Sequence, residues 1–284
     1  MKNLIINADD FGLAEDVNQA IIQGHQSGCI TSTSLMPTGA AVEGAVQLAK
    51  DVPTLGVGVH LTLVAEKPVL SPDKVPSLVD ENGYFFADHM VFIKKYLCGN
   101  IDMAELRLEC EAQIERVESF GIVPTHLDSH QHLHVLPKIM SLCLDLAKRH
   151  HIEKMRIPAE GYTFSGGYPA TKGRMLAKCG LTFLAERARL KAKQAKIAVP
   201  DHFFGMVAGG HMQECYLQNI LAALPTGTSE IMMHPGLHSE LLAKQYTWQY
   251  HWTDEYNAVT SANVLQYIKE NHVNLISFKE LVHE

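Results

Sequence analysis

The amino-acid sequence predicts an α/β fold with a mostly parallel sheet. Three observations support this fold class. Short apolar runs alternate with segments of helical periodicity, titratable residues stand at the ends of several apolar runs, and 284 residues is a common length for one α/β barrel. Because no stretch rich in Pro, Gly or Ser divides the chain, we expect residues 1–284 to form one domain.

The first five elements follow in the order strand, helix, strand, helix, strand. Apolar periodicity, together with the glycines and prolines that close the segments, places them at residues 4–7, 15–27, 30–36, 40–50 and 56–62. This order is typical of parallel strands that are joined by crossover helices.

The later elements continue the alternation with longer connections. Residues 67–89 contain several prolines and predict a long loop over the strand ends, and residues 160–172 predict a lid or substrate loop. Helices are predicted at residues 102–120, 137–150, 181–196, 213–224 and 259–271. A strand is predicted to end near Asp128, and others are predicted at residues 154–158, 201–205 (strand or loop), 230–233 and 274–278.

The composition argues against several classes of function. The formal net charge of -7 comes without a basic cluster, because the densest basic run, residues 187–196, fits the solvated face of one helix. Nucleic acid is therefore not an expected partner. Apolar segments are too short for a signal peptide or a transmembrane span, and the six cysteines form no Cys-x-x-Cys pair, so we expect a cytoplasmic protein with reduced thiols. A homodimer is expected only because dimers are common among soluble proteins.

Two adjacent carboxylates, Asp9 and Asp10, follow the first predicted strand. In α/β barrels the C-terminal ends of the strands carry the chemistry, and neighbouring side chains on an extended chain point different ways. One aspartate could then hold a metal ion while the other handles a proton. The competing interpretation is that they cap a helix that starts near Leu13.

Histidines are frequent, with 16 in the chain, and three of them stand at the ends of separate predicted strands. His60 ends the third strand, His130 lies just before a predicted helix, and His234 follows a later apolar strand. Asp10, His60 and His130 would meet at one rim of a parallel sheet, where a carboxylate and two imidazoles bind a divalent ion and leave positions open for water. Asp9 could then accept the proton of that water, and His234 could donate one to a leaving amine.

Other residues near this rim have looser assignments. Asp128 and His132, together with His126 and His134, could orient the ligands through hydrogen bonds to their rings. Arg156 could bind a carboxylate or the substrate, and a surface salt bridge is an equally good explanation. Alternating aromatic residues could stack on sugar rings, but packing of an irregular segment is the simpler explanation; they are Tyr246, Trp248, Tyr250 and Trp252.

Four stretches carry a resemblance to a known family. They are residues 7–12 (Asn-Ala-Asp-Asp-Phe-Gly), 58–61 (Gly-Val-His-Leu), 125–134 (Thr-His-Leu-Asp-Ser-His-Gln-His-Leu-His) and 234–236 (His-Pro-Gly). In this order the sequence resembles the YdjC family of carbohydrate deacetylases, which includes bacterial chitooligosaccharide deacetylases and HpnK-type proteins associated with hopanoids.

The resemblance implies an irregular TIM-barrel-like (β/α) barrel, one divalent ion (magnesium or zinc), and removal of an N-acetyl group from a glycan that contains N-acetylglucosamine. By position it implies that Asp10, His60 and His130 are metal ligands and that Asp9 is the catalytic base. His234 matches the general acid of the broader polysaccharide deacetylases. Residues 128–130 are similar to the chitooligosaccharide branch, whereas three other stretches are more similar to the hopanoid branch, namely residues 57–61, 67–70 and 200–205. The natural sugar therefore stays open.

Two rival functions use the same residues. The metal site could hydrolyse a different amide or an ester, since these polar residues do not define the acyl group. A catalytically silent sugar-binding protein is the other rival, but binding alone would not need a base beside a metal ligand. A structural metal is disfavoured because such sites usually have four protein ligands, often cysteines.

Overall fold

Residues 1–282 are described by the computed structural model, and they contain seven strands and ten α-helices. The strands are β1 (Lys2–Phe11), β2 (Ser32–Leu35), β3 (Gly56–Leu61), β4 (Leu127–Ser129), β5 (His202–Phe204), β6 (Gly227–Met233) and β7 (Asn274–Leu275). The helices are α1 (Glu15–Gln26), α2 (Val42–Asp51), α3 (His89–Leu97), α4 (Met103–Ser119), α5 (Pro137–Arg149), α6 (Lys172–Gln194), α7 (Glu214–Ala223), α8 (Ser239–Gln245), α9 (Trp252–Thr260) and α10 (Ala262–Glu270).

The strands form one parallel sheet in the order β4-β3-β2-β1-β6-β5. β1 lies in the middle and pairs with β6 from Lys2 to Ala8. β7 pairs with the beginning of β1, at Asn3 and Leu4, and β2 takes over the same edge from Asn7 onward.

Single-residue bridges connect the two edges of this sheet. Leu127 of β4 bridges to Met155, and Lys154 bridges to Ala198, which lies shortly before β5. In this connection the N–H of Leu127 donates to the carbonyl of Lys154, and the N–H of Met155 donates to the carbonyl of Ala198, both at 3.0 Å. The sheet therefore curls into an irregular barrel of parallel strands. The predicted TIM-barrel-like α/β fold is confirmed.

Alternation along β1 separates two environments. Leu4, Ile6 and Ala8 are fully buried in the main apolar core, together with α1 side chains such as Val17 and Ile21. Successive side chains of a strand point to opposite faces, so the residues between them face the inside of the barrel. The core between sheet and helices thus fixes which β1 side chains point inward.

The inside of the barrel changes from apolar to polar toward the C-terminal ends of the strands. Ile5 packs with Phe278 and Leu281 in a small apolar cluster. His126 stacks on Phe278 with ring centroids 3.8 Å apart. Farther along β1 come Asn7 and Asp9, whose side chains are almost completely buried.

Several predicted boundaries were wrong. β1 continues to Phe11, so Asp9 and Asp10 lie inside the strand and not after it. Residues 67–89 contain a short 3-10 helix, Pro72–Lys74. α3, which was not predicted, begins at His89, where this predicted loop ends. Residues 154–158 contribute isolated bridges in place of a full strand.

The helices beyond residue 170 also differ from the prediction. α6 begins at Lys172, where the Thr171 hydroxyl caps it by accepting the N–H of Arg174 at 3.2 Å. The predicted helix 259–271 is two helices, because Ser261 ends α9 and its hydroxyl caps α10. None of the helices within residues 1–282 is long and apolar enough to cross a membrane.

Candidate active site

β1 is irregular at its two aspartates. Its pairing with β2 shifts between Ala8 and Phe11, and Asp10 has φ of 65°, in the left-handed region that Asp adopts more readily than most residues. Because this bulge breaks the alternation, both carboxylates face one site: Asp10 Oδ1 and Asp9 Oδ2 lie 3.4 and 3.9 Å from Nε2 of His60. The expectation that the two side chains point different ways is therefore wrong.

The helix-capping alternative for these aspartates is wrong as well. α1 begins after Ala14, whose side chain makes no capping hydrogen bond. The Asp10 carbonyl instead accepts the N–H of Leu13 at 3.0 Å, which closes the turn out of β1. The two carboxylates are thus free for another role.

His60 is held by the neighbouring strand. Parallel pairing of β3 with β4 sets His60 beside Asp128, and the Asp128 carboxylate lies 2.8 Å from Nδ1 of His60. This hydrogen bond fixes the orientation of the ring and leaves Nε2 directed toward Asp10.

His130 follows β4 and starts a 3-10 segment, His130–Val135, in which Gln131 and His132 have φ of 57° and 56°. Nδ1 of His130 lies 3.0 Å from Oδ1 of Asp10. The tight turns after β4 therefore bring this imidazole back over the sheet edge.

Asp10, His60 and His130 offer ligand atoms that all lie within 4.8 Å of one another, and all three residues are buried. Oδ2 of Asp10 is buried and has no hydrogen-bond partner among residues 1–282. Buried carboxylate oxygens are rarely left without a donor, and a cation would satisfy this one. The group could hold a metal ion. A second compact group, Asp9 with His60 and Asp128, suits a cation less, because both of its carboxylates already form ion pairs with Arg156.

Charges around the site favour an added positive charge. Burial opposes a charge on His60, but the carboxylates of Asp128, Asp9 and Asp10 outweigh it and raise the pKa of His60 to about 10. Burial also opposes a charge on Asp10, and the two imidazoles outweigh it and hold the pKa of Asp10 well below its usual value. Protons or a metal ion could supply this positive charge, and a metal would have to displace the proton of His60.

Arg156 is fully buried beneath the site and contacts three carboxylates. Its NH1 and NH2 donate to the two oxygens of Asp9 at 2.7 and 2.6 Å, NH1 lies 2.8 Å from Asp128, and Nε donates to Glu230 at 2.7 Å. A surface salt bridge is thus the wrong explanation for Arg156. Its guanidinium joins β1, β4, β6 and the 154–158 segment through ion pairs in a dry interior.

Glu230 is the third carboxylate that contacts Arg156. Burial raises the pKa of Glu230 to about 7, although Arg156 opposes the shift. The negative charges of Asp128 and Asp9 add to this shift, because they oppose a further negative charge on Glu230.

His234 follows β6 on the same side of the barrel. Its backbone N–H donates to Glu255, and Nδ1 of its ring lies 3.7 Å from the same carboxylate oxygen. Burial opposes a charge on the imidazole, but Glu255 outweighs it, so the pKa of His234 is raised above its usual value. Glu255 therefore favours the protonated form of the His234 imidazole.

A cleft of about 640 Å³ opens above these residues. Asp9, His130 and His234 lie on its surface, so a bound molecule would reach both aspartate and imidazole groups. The N-terminal half of α6 contributes a wall to the cleft, and the aromatic residues Trp248 and Tyr250 contribute another part of the lining. Ligand pockets commonly combine an apolar lining with a few polar groups in this way.

The other predicted polar residues have distinct positions. His132 is buried, lines the cleft and packs edge-on against Phe203 at 5.8 Å. His126 lies below, with Nε2 3.1 Å from the hydroxyl of Ser34. His134 bonds to Ser129 and to the Arg156 carbonyl, and so supports the turn after β4.

Sequence reasoning missed several members of the buried network. Asn7 donates to Asp9 and to Ser34, and Ser34 in turn donates to Asp128 at 2.8 Å. Glu230 carried a usable signal, because a carboxylate inside an apolar strand requires a buried partner. Asn7 was marked only as part of the family-like stretch 7–12, and Ser34 carried no signal, since both residue types are common in strands and turns.

Comparisons with known proteins agree with one another. The model of the family described as YdjC-like protein matches residues 3–270. A carbohydrate deacetylase of Thermoanaerobacter pseudethanolicus is 30% identical over 99% of this chain and 100% of its own length, and one of Clostridium beijerinckii is 32% identical over 98% and 99%. A crystal structure from Enterococcus faecalis V583, named as a candidate cellobiose-phosphate cleavage protein, is 27% identical and superimposes with a TM-score of 0.79 over 99% of both chains.

Replacement of Glu230 by Gln tests the buried network. The native pKa of about 7 lies above the value of 4.5 for an unfolded glutamate, so the folded state binds the proton more tightly between these pH values. Stability from this group is complete below pH 4.5 and is lost as the pH rises through 7. We expect the free energy of unfolding of the wild type, relative to Glu230→Gln, to fall on the order of 2 to 3 kcal/mol across this range.

The measurement is urea denaturation at a series of pH values. The exposed Glu153, in the segment that precedes Arg156, provides a matched control, and Glu153→Gln should follow the wild-type curve. Parallel curves for the wild type and Glu230→Gln would contradict the assignment of a raised pKa to Glu230.

Proposed function

The chain belongs to the YdjC-like protein family, and we propose that it is a metal-dependent carbohydrate deacetylase. The proposed reaction removes the N-acetyl group from an oligosaccharide or glycoconjugate that contains N-acetylglucosamine and releases acetate. One observation carries this proposal: the buried group of Asp10, His60 and His130 lies beside a second carboxylate, Asp9, at the floor of an open cleft.

Asp10, His60 and His130 would hold the divalent ion, which we propose to be magnesium or zinc. When bound, the ion supplies Lewis-acid chemistry, because it acidifies water and polarises an amide carbonyl. One carboxylate and two imidazoles leave positions open for water and substrate, whereas structural sites close with four protein ligands. The unpartnered Oδ2 of Asp10 supports this donor set.

Oδ2 of Asp9 is the proposed acceptor of the proton from the attacking water. Oδ1 of Asp9 already accepts from Arg156 at 2.6 Å and from Asn7 at 3.0 Å. Oδ2 accepts from Arg156 at 2.7 Å and, with that one donor among residues 1–282, keeps a lone pair for a proton. Arg156 also fixes the plane of this carboxylate, so the base requires little reorganisation.

His234 is the proposed general acid for the leaving amine. Glu255 holds the backbone of His234 and favours the charged imidazole, which is the form that can donate a proton. His234 lines the same cleft as Asp9 and His130, which suits a role on the far side of the scissile bond from the base. Asp128 and His132 are proposed as supporting residues, the first through its bond to His60.

Relatives named carbohydrate deacetylase support the class of substrate. The N-acetylglucosamine unit is proposed on the resemblance of the four sequence motifs. A cytoplasmic site of action is proposed because the six cysteines are all free, which is typical of a reducing compartment.

Acetate release from di-N-acetylchitobiose is the direct test of the reaction. We expect the purified protein to release acetate, a chelator to stop the release, and added magnesium or zinc to restore it. Acetate is measured by a coupled enzymatic assay, and the same sugar without protein is the control. If the protein binds metal but releases no acetate from this sugar with any metal, the proposed substrate is wrong.

Substitution of Asp9 and of Asp10 should have different effects on metal binding and on kcat. Asp9→Asn should keep the metal and lower kcat at least about 100-fold, because the base is lost while the ligands remain. Asp10→Asn should lose metal affinity, and Asn tolerates the left-handed backbone at this position, so the fold is preserved. Metal content by elemental analysis and kcat are measured on both variants. The opposite pattern would mean that the two carboxylates exchange roles.

His234→Ala tests the general acid. The variant should slow hydrolysis of an N-acetyl amide about 100-fold or more, because an amine leaves poorly without a proton. It should slow hydrolysis of an acetate ester with a good leaving group, such as 4-nitrophenyl acetate, far less. Equal losses on the two substrates would remove His234 from this role.

A further inference from the structure

Four aromatic side chains between α8 and α9 form a continuous series, here named the aromatic ladder: Tyr246, Trp248, Tyr250 and Trp252. The ring centroids of successive members are 5.0, 5.7 and 5.5 Å apart. The residues between them, such as Thr247 and Gln249, are exposed. Alternate positions thus direct the rings to one side of the segment.

The two ends of the aromatic ladder are fixed to the body of the protein. Trp252 is 1% exposed at the start of α9, and the hydroxyl of Tyr246 donates to the carbonyl of Leu13 at 3.1 Å. The N–H of His251 donates to the carbonyl of Gly210 at 2.7 Å. Packing therefore accounts for the outer members of the ladder.

The two middle members lie in the cleft. The Trp248 ring is 5.0 Å from the ring of His130, and the Tyr250 ring is 4.9 Å from the ring of His234. Both aromatic side chains are only partly buried and line the cleft. They consequently stand beside one proposed metal ligand and the proposed general acid.

A pyranose ring has an apolar face of C–H groups and carries its hydroxyls around the edge. Aromatic side chains offer a large flat apolar surface at small cost in conformational entropy. The rings of Trp248 and Tyr250 lie 5.7 Å apart and are tilted by 52° to each other, so they form a concave aromatic surface in which a sugar ring can stack on one ring and contact the other with its edge. Arg174 of α6 lines the same cleft and offers N–H groups for the hydroxyls, whereas the Lys178 ammonium already donates to the carbonyls of Gly161 and Phe164.

We infer that Trp248 and Tyr250 form a stacking platform for the sugar ring that bears the N-acetyl group. This inference rests on the proposed function, because it assumes an acetylated sugar as the substrate. The platform presents the apolar face of the sugar to the aromatic rings, so that its acetamido group projects toward Asp9 and His130. Simple packing of the segment does not explain why the two middle rings stay partly exposed at the cleft surface.

Tryptophan fluorescence provides a direct binding test, since the chain has two tryptophans and Trp252 is buried. The metal-loaded Asp9→Asn protein is titrated with di-N-acetylchitobiose, so that the sugar is not consumed. We expect a saturable change in emission that Trp248→Phe abolishes. Saturable binding by calorimetry with an unchanged emission of Trp248 would overturn the inference.

Kinetics separate a platform from a structural role. Trp248→Ala and Tyr250→Ala should each raise KM for di-N-acetylchitobiose about tenfold, with metal content unchanged and kcat within about threefold of the wild type. Trp248→Tyr should recover most of the loss, because it restores a flat ring. Phe183→Ala is the matched control, since Phe183 is 51% exposed on α6 and lies outside the cleft lining. An unchanged KM in Trp248→Ala, or a loss of metal with it, would overturn the platform.

The two proposals fail in different ways. If the sugar quenches or shifts the Trp248 emission but no acetate is released with any metal, the deacetylase proposal fails and the platform stands. If acetate is released and Trp248→Ala and Tyr250→Ala keep the wild-type KM, the platform fails and the deacetylase stands.

Discussion

The ion pairs of one buried guanidinium determine the geometry of this site. Arg156 holds Asp9 by two hydrogen bonds, approaches Asp128, which orients His60, and binds Glu230 from β6. Burial of so many charges is costly and is tolerated only where hydrogen bonds are nearly complete. The residues that accept hydrogen bonds from Arg156 or pair with its charge also orient the carboxylates and imidazoles of the rim. The stability of the barrel interior and the arrangement of the site therefore depend on the same contacts.

This arrangement also explains the irregular barrel. The 154–158 segment makes single bridges to β4 and to Ala198, which is enough to bring Arg156 into the interior without a full strand. The narrow apolar cluster around Ile5 and Phe278 closes the opposite end. The polar interior lies between the 154–158 segment and this apolar cluster. The strength of its ion pairs depends on the exclusion of water, so tight packing there matters more than regular hydrogen bonding between strands.

Sequence patterns located the elements well where the signal is local. The apolar runs of β1, β3 and β6 and the periodicity of α4 gave the fold class, and the residues after the strands gave Asp10, His60 and His130, which the fold does bring together. The bulge at Asp10 was not predictable, because it depends on pairing with β2. Contacts of Arg156 with Asp9 and Glu230 join residues far apart in the chain, and no periodicity encodes them. Ser261 shows a further limit, since a helical pattern continued across a residue that caps a new helix.

The left-handed backbone at Asp10 constrains how this protein could change in evolution. A position with φ of 65° accepts Asp, Asn or Gly at little cost and rejects β-branched and bulky residues. A descendant that lost its chemistry but kept its fold would thus be expected to carry Asn or Gly at position 10, whereas position 9, in ordinary strand conformation, would drift more widely once Arg156 had also changed. The residue type at position 10 would therefore distinguish a relative that is folded but inactive from one that does not fold.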